Sequence, residues 1–276
     1  MIKVGVCIET IFPELPYIER IKRVAKVGFP GIEFWFHNRR FDGNNLFEEM
    51  KDIDAIATVV KDLHLEVTDF VVNSPEGENG GSLVKPEDRE KYLVRLRELI
   101  PLAHRLNCRK LITCTGNKVK GRSYEEQRKS IIETLKQASK IVEKEDITLV
   151  LEPLNTLVDH PGYFLDSVKE GVKIIREIDH PNTRLLYDIY HMQIMEGNIL
   201  STIEKNIDII GHFHAAGVPE RHELYIGELN YPFIFKKIIE MGYEGYFGLE
   251  YWPSMDSQKS LEEIRAFLEI QNKMVI

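Results

Sequence analysis

The feature that most limits what this chain can become is an alternation repeated eight times. Short runs rich in β-branched and aromatic residues are each followed by a longer segment with helical periodicity. The strand candidates are residues 3–8, 31–35, 65–72, 110–115, 148–154, 184–190, 209–215 and 246–251. Residues 17–27, 47–63, 87–106, 124–144, 167–178, 199–206, 232–241 and 261–274 carry the amphipathic pattern expected of helices. Strands separated by helices pair in parallel through crossovers rather than as hairpins, so eight such units predict an α/β fold, a closed (β/α)8 barrel.

Residues 1–276 read as one domain, because no internal repeat and no linker rich in Gly, Pro or Ser divides them. Gly28 and Gly242 each follow an apolar helix, as C-terminal glycines do, and Ser123, Asp166 and Ser257 stand where N-caps are expected. Two glycine-containing loops, residues 73–82 and 116–123, follow the third and fourth strands. Both fall at the end of the barrel where such folds place their active sites.

Composition bears on partners and location. The formal net charge of −8 is opposite to the clustered Lys and Arg that neutralise phosphates, so no nucleic-acid partner is expected. No apolar run approaches the ~18 residues that would cross a bilayer, so no membrane association is expected either. The N-terminal Met1-Ile-Lys-Val-Gly-Val-Cys-Ile8 lacks the cleavage region of a secretory signal and reads as a first strand. Cys7, Cys108 and Cys114 cannot all pair and show no C-x-x-C spacing. Reduced thiols in the cytoplasm are the expectation.

The sharpest chemical signal comes from aligning the last four strands by their C-terminal ends. They read Val150-Leu-Glu152-Pro-Leu-Asn155, Leu186-Tyr-Asp188-Ile-Tyr-His191, Gly211-His212-Phe-His214-Ala and Gly248-Leu-Glu250-Tyr-Trp252. Strand alternation puts Thr148, Val150 and Glu152 on one face, Leu186 and Asp188 on one face, His212 with His214, and Tyr246 with Gly248 and Glu250. If those faces look inward, three carboxylates and one imidazole converge on the upper mouth of the barrel. One acid at a strand end is ordinarily a cap or an ion pair; three acids and a histidine at equivalent points are harder to explain structurally. Three crowded acids repel and raise one another's pKa, and a bound dication removes that penalty. Oxygen ligands with one imidazole suit one Mn²⁺, Mg²⁺ or Co²⁺, with Zn²⁺ also admissible. Glu152, Asp188, His214 and Glu250 are therefore the expected metal ligands.

At these residues the sequence resembles the xylose-isomerase-like TIM barrels, and within them the hydroxypyruvate isomerase family. The resemblance rests on Glu152-Pro-Leu-Asn-Thr156, Pro161-Gly-Tyr-Phe-Leu165, Leu186-Tyr-Asp-Ile-Tyr-His-Met-Gln-Ile-Met-Glu-Gly-Asn198, Arg221-His-Glu223, Gly227-Glu-Leu-Asn-Tyr-Pro232, Gly242-Tyr-Glu-Gly245 and Gly248-Leu-Glu-Tyr251. It covers the whole barrel and is concentrated after residue 145. The resemblance implies a metal at the same four residues, with Glu152 and Glu250 as the catalytic acid/base pair. It implies an aldose–ketose isomerase working through a cis-enediolate on a small sugar or hydroxy-keto acid. By the same parallel, His191 and Arg221 contact substrate; otherwise His191 caps its loop and Arg221 pairs with Glu220 or Glu223. Hydroxypyruvate isomerases usually carry Gln where His214 stands. An imidazole there is similar to the ketose 3-epimerases, whose second Glu, six residues after the first, is Val158 here. A 3-epimerase is thus the alternative, with an apurinic-endonuclease-like nuclease and a non-catalytic sugar-binding barrel further off. A homo-oligomer is possible for such barrels, though nothing in the sequence marks an interface.

Around this set, His212 reads as a buried hydrogen-bonding group one layer deeper, with Glu33 beside it. Glu228 and Asn230 belong to the rim, or Glu228 caps the helix near Pro232. Phe34-Trp35-Phe36 is a pocket wall or core, and Lys118, Lys120 and Arg122 form a basic, solvated loop.

Overall fold

The structure, a computed structural model, describes residues 2–274, with side chains described through Glu269. Its strands are β1 (Lys3–Cys7), β2 (Gly31–Phe34), β3 (Arg39–Phe41), β4 (Leu46–Glu48), β5 (Glu66–Val71), β6 (Lys110–Thr113), β7 (Thr148–Leu151), β8 (Thr183–Asp188), β9 (Ile210–Ala215) and β10 (Tyr246–Leu249). The helices are α1 (Tyr17–Val27), α2 (Ile53–Asp62), α3 (Arg89–Arg105), α4 (Tyr124–Val142), α5 (Val168–Ile178), α6 (Ile189–Met195), α7 (Ile199–Glu204), α8 (Tyr231–Glu240) and α9 (Ser257–Met274). Eight strands close into a barrel in the order β1-β10-β9-β8-β7-β6-β5-β2, and the pairings recorded in it are parallel. This is the (β/α)8 TIM barrel expected from the alternation. No helix among the described residues is long and apolar enough to cross a membrane.

The chain packs as two compact units. One comprises the chain up to Thr68 with residues 198–207 and from 213 onward; the other comprises residues 69–197 and 208–212. In the first, Val6, Ile21, Val24 and Ile264 are fully buried, and Phe213, Phe235, Tyr243 and Phe247 pack ring against ring at 4.4–5.5 Å. In the second, α5 shows how sequence makes helix and packing together. Val168, Gly171, Ile174, Ile175 and Ile178 recur at helical spacing and form its buried stripe. The α4 start is set by a reciprocal capping box between Ser123 and Glu126.

Several boundaries differ from expectation for local reasons. The expected helix over 47–63 begins only at Ile53, because Asp52 accepts the Ala55 N–H and fixes the start there. Upstream, Asp42 Oδ1 accepts the N–H groups of Asn44 and Asn45 and reverses the chain, so β3 and β4 pair as an antiparallel hairpin. The cap of α5 is Ser167 rather than Asp166, whose carboxylate instead meets Lys118 at 3.0 Å. At α9, Asp256 accepts the Lys259 N–H, while Ser257 is the first helical residue. The expected strand over 184–190 stops at Asp188, where α6 begins directly.

The hairpin is tied down from beneath. Lys51 Nζ donates to the carbonyls of Phe36 and Arg39 and pairs at 3.0 Å with Glu9, both side chains fully buried. Arg20, also buried, donates to the carbonyls of Ile8, Leu15 and Phe41. Buried cations placed on backbone oxygens and a carboxylate satisfy each other instead of standing desolvated and alone.

Candidate active site

Glu250 follows the last residue of β10, and the strand register sets Gly248 against both His214 and Gly5. A Cβ on Gly248 would lie 2.2 Å from Glu33 Oε1 and 2.6 Å from His214 Cδ2, so only glycine leaves these side chains room. Glu33 Oε2 accepts from the Thr68 hydroxyl at 2.9 Å, and its Oε1 stands 3.7 Å from His214 Nε2. The other ring nitrogen, Nδ1, is 3.5 Å from Glu250 Oε2.

Glu250 is gripped on both oxygens. Arg221 Nη2 donates to Oε2, Arg221 Nε donates to the Glu250 carbonyl at 3.0 Å, and the Trp35 indole N–H donates to Oε1 at 2.5 Å. Burial by itself would raise this carboxyl's pKa. The Arg221 guanidinium, His214 and the Trp35 indole outweigh burial and hold it at about 2. Arg221 in turn sits in the left-handed region at φ +58°, uncommon for a residue other than glycine, and the Trp252 N–H on its carbonyl at 2.7 Å helps keep it there. Glu223 stitches the same two loops together, accepting from the Ser254 N–H, the Ser254 hydroxyl and the Ser260 hydroxyl. Trp35, Phe41 and Trp252 meet with ring centroids 5.4–6.2 Å apart, forming an aromatic wall beside the carboxylate.

In the other unit, Glu152 directly follows β7. Its N–H continues the ladder to the Thr113 carbonyl, and its carbonyl accepts from the Tyr163 hydroxyl at 2.9 Å. Asp188 closes β8 and is also the N-cap of α6: its Oδ1 accepts the N–H groups of Tyr190 at 2.8 Å and His191 at 3.3 Å. That turn of helix carries His191 back over the cap, leaving its Nε2 3.5 Å from Asp188 Oδ2. Nearby, His212 Nε2 lies 2.9 Å from Asp69 Oδ2, both side chains buried.

Among the described residues, Glu152, Asp188, His214 and Glu250 form one group of side chains that could hold a metal ion, and Glu33, Asp69, His212 and His214 form another. Three carboxylates and an imidazole, buried except for partly exposed Glu250, form a donor set that fits a divalent cation. Arg221 lies against Glu250, and His191 lies against Asp188. Asp69 was not anticipated, although Val67, Asp69 and Val71 share one strand face and an acid within that apolar set marks it.

Other candidates fall into structural roles. Asn230 caps α8 by accepting the Phe233 N–H, so Glu228 does not. Phe34 and Phe36 are buried core, while Trp35 faces Glu250. Lys118 and Arg122 pair with Asp166 and Glu87 at the surface. Cys7, Cys108 and Cys114 are buried and in no disulfide.

The sequence matches the family described as xylose isomerase-like TIM barrel over residues 21–270. The hydroxypyruvate isomerase of Escherichia coli K12 is 32% identical over 262 residues, covering 95% of this chain and 97% of that one. The 2-oxo-tetronate isomerase of Pectobacterium atrosepticum is 28% identical over 272 residues, covering 98% and 99%. Among solved structures, one described as an AP endonuclease, family 2, from Brucella melitensis superposes with a TM-score of 0.85 at 30% identity, covering 97% and 99%. A barrel of this order and matches over nearly its full length place the chain within the xylose isomerase-like TIM barrel family.

Proposed function

We propose that the chain is an aldose–ketose isomerase of the hydroxypyruvate isomerase type, acting on a small hydroxy-carbonyl acid or sugar with one divalent cation held by Glu152, Asp188, His214 and Glu250. The observation that carries this reading is the donor chemistry of those four side chains, three buried and one half-buried, each standing at the end of a different strand. Relatives named for hydroxypyruvate and 2-oxo-tetronate support the substrate class.

The chemistry moves one proton between adjacent carbons. The ionised one of Glu152 and Glu250 removes the proton from the carbon beside the carbonyl, giving a cis-enediolate; the other, protonated, gives its proton to the neighbouring carbon. The substrate's hydroxyl proton passes to the former carbonyl oxygen, and exchange with solvent resets the two carboxyls. A dication at the site supplies Lewis-acid stabilisation of the negative charge that develops on the two substrate oxygens. Arg221 keeps Glu250 ionised, and its planar fork suits a substrate carboxylate or hydroxyl. His191 supplies a hydrogen bond to a substrate oxygen. Trp35, Phe41 and Trp252 wall off water on the Glu250 side.

The imidazole of His214 favours a second reading, a ketose 3-epimerase, which returns the proton to the carbon it left. The net charge of −8 counts against a nuclease. Metal analysis of the purified protein, followed by incubation in D₂O with hydroxypyruvate, tartronate semialdehyde, tetronates and ketohexoses, separates the readings. Metal-dependent deuterium uptake beside the carbonyl of a three- or four-carbon acid is expected. Uptake confined to C3 of a ketohexose selects the epimerase, and no exchange on any substrate by metal-loaded protein overturns both.

A further inference from the structure

The loop after Glu152 contains a side chain whose hydrogen bonds admit one orientation. Asn155 Oδ1 accepts the backbone N–H groups of Val158 at 3.0 Å and Asp159 at 2.9 Å. Two backbone donors cannot point at an amide nitrogen, so oxygen and nitrogen of this carboxamide are assigned by the chain itself. Its Nδ2 then has two hydrogens to give. Asp159 Oδ2 lies 2.7 Å from it and His191 Nδ1 lies 2.7 Å from it. The Asn155 backbone N–H is directed to the same ring nitrogen at 3.3 Å.

A ring nitrogen that receives an N–H cannot carry its own proton. We infer that Asn155, oriented by Asp159, is a positioning residue that fixes neutral His191 as the Nε2–H tautomer, so that a donor rather than a lone pair faces the Asp188 side of the site. The neighbours are consistent with this assignment. His191 is 1% exposed, its Nε2 is 3.5 Å from Asp188 Oδ2, and its ring is packed edge-on by His160 and Tyr190. Asp159 Oδ2 is 3.8 Å from Nδ1, too far for a hydrogen bond, so the carboxylate acts on the ring through the amide. In the other tautomer a lone pair would face the Asp188 carboxylate, and the ring could not donate to an oxygen that becomes negative during the reaction.

The mechanistic part of this inference rests on the isomerase reading, whereas the tautomer does not. The test therefore has two readouts. Nitrogen NMR of protein carrying ¹⁵N-labelled histidine reports directly which nitrogen of His191 is protonated. Wild-type protein is expected to show protonated Nε2 and bare Nδ1; protonated Nδ1 overturns the proposal. The double variant Asn155→Asp with Asp159→Asn conserves charge and retains the oxygen that closes the turn, but it reverses the polarity of the relay. The new carboxylate at position 155 accepts from the ring, and a charge-assisted bond outweighs the long 3.3 Å approach of the retained backbone N–H, so Nδ1 is expected to gain the proton. With metal content and Tm near wild type, kcat is expected to fall roughly 10–100-fold, the range for partners that orient a site residue from behind. An unchanged tautomer, or a switched tautomer with unchanged kcat, overturns it. Should the double variant fail to fold, Asn155→Asp alone is read the same way by NMR. Wild-type protein inactive on every substrate while showing the Nε2–H tautomer would sink the isomerase reading and leave the Asn155–His191 assignment standing.

Discussion

Glu152 and Glu250, the two glutamates proposed to exchange the proton, stand in surroundings built on different principles. Around Glu250 the material is charge: a guanidinium on one oxygen, an indole N–H on the other, and a buried Glu223 binding the flanking loops. Around Glu152 and Asp188 the contacts are mostly directional hydrogen bonds: a phenol on the Glu152 carbonyl, a helix start on Asp188, and an amide, itself held by Asp159, that orients an imidazole. A guanidinium fixes protonation by field, which acts on whatever lies near it. An amide fixes protonation by geometry, which acts on one atom. The first arrangement keeps an acid ionised; the second decides which face of a ring donates.

That contrast can be broken at several points, beginning with the largest effect. Glu250→Gln or Glu152→Gln is expected to lower kcat by roughly 10³-fold or more while metal content stays near wild type, measured by steady-state kinetics beside metal analysis. If either variant keeps more than a tenth of wild-type turnover, the paired acid/base roles fail. Arg221→Lys is expected to cost about 10²-fold in kcat/KM, because a point charge replaces the fork that spans the Glu250 side chain and its carbonyl. A near-wild-type value would mean that charge alone suffices. Gly248→Ala should destabilise the fold by about 1–3 kcal/mol in urea unfolding, since its methyl would overlap Glu33 and His214. Trp35→Phe, which keeps the aromatic wall and deletes one donor to a carboxylate, should reduce kcat/KM about tenfold.

The smallest effect concerns acid. Burial would raise the Glu223 carboxyl, but the Ser260 hydroxyl and the Ser254 hydroxyl and N–H hold it below the usual carboxylate range. A depressed carboxyl stabilises the fold above its unfolded value of about 4.3 and loses that contribution as pH falls through its folded value. Wild type should therefore be more stable than Glu223→Gln at pH 7, with the gap closing below about pH 4 in thermal melts. A gap that stays constant into acid would show that the carboxylate's charge contributes nothing.

The sequence made the barrel readable because each strand carries its own β-branched run and each helix its own stripe, as in residues 168–178. The proposed ligand quartet came from a related pattern: strand ends can be aligned without knowing distances. What escaped was structure made by single polar atoms. The hairpin 39–48 was not expected, and its second strand overlaps the start of the helix expected over 47–63, although Asp42-Gly43 followed by two asparagines is a turn signal. The pairing of Glu9 with Lys51 joins residues 42 positions apart, each unremarkable where it stands. α6 was hidden because its cap doubles as a site residue, and a strand-final acid gives no sign that a helix starts on it.

Asp188 therefore answers to two masters, and mutagenesis can tell them apart. Asparagine there would preserve the start of α6 and hence the placement of His191, while removing the negative charge. Glutamate would preserve the charge but lengthen the arm, so that the backbone after it loses its anchor. A drift in sequence that tried the longer acid would disturb two residues by changing one, which couples the fate of position 191 to that of position 188.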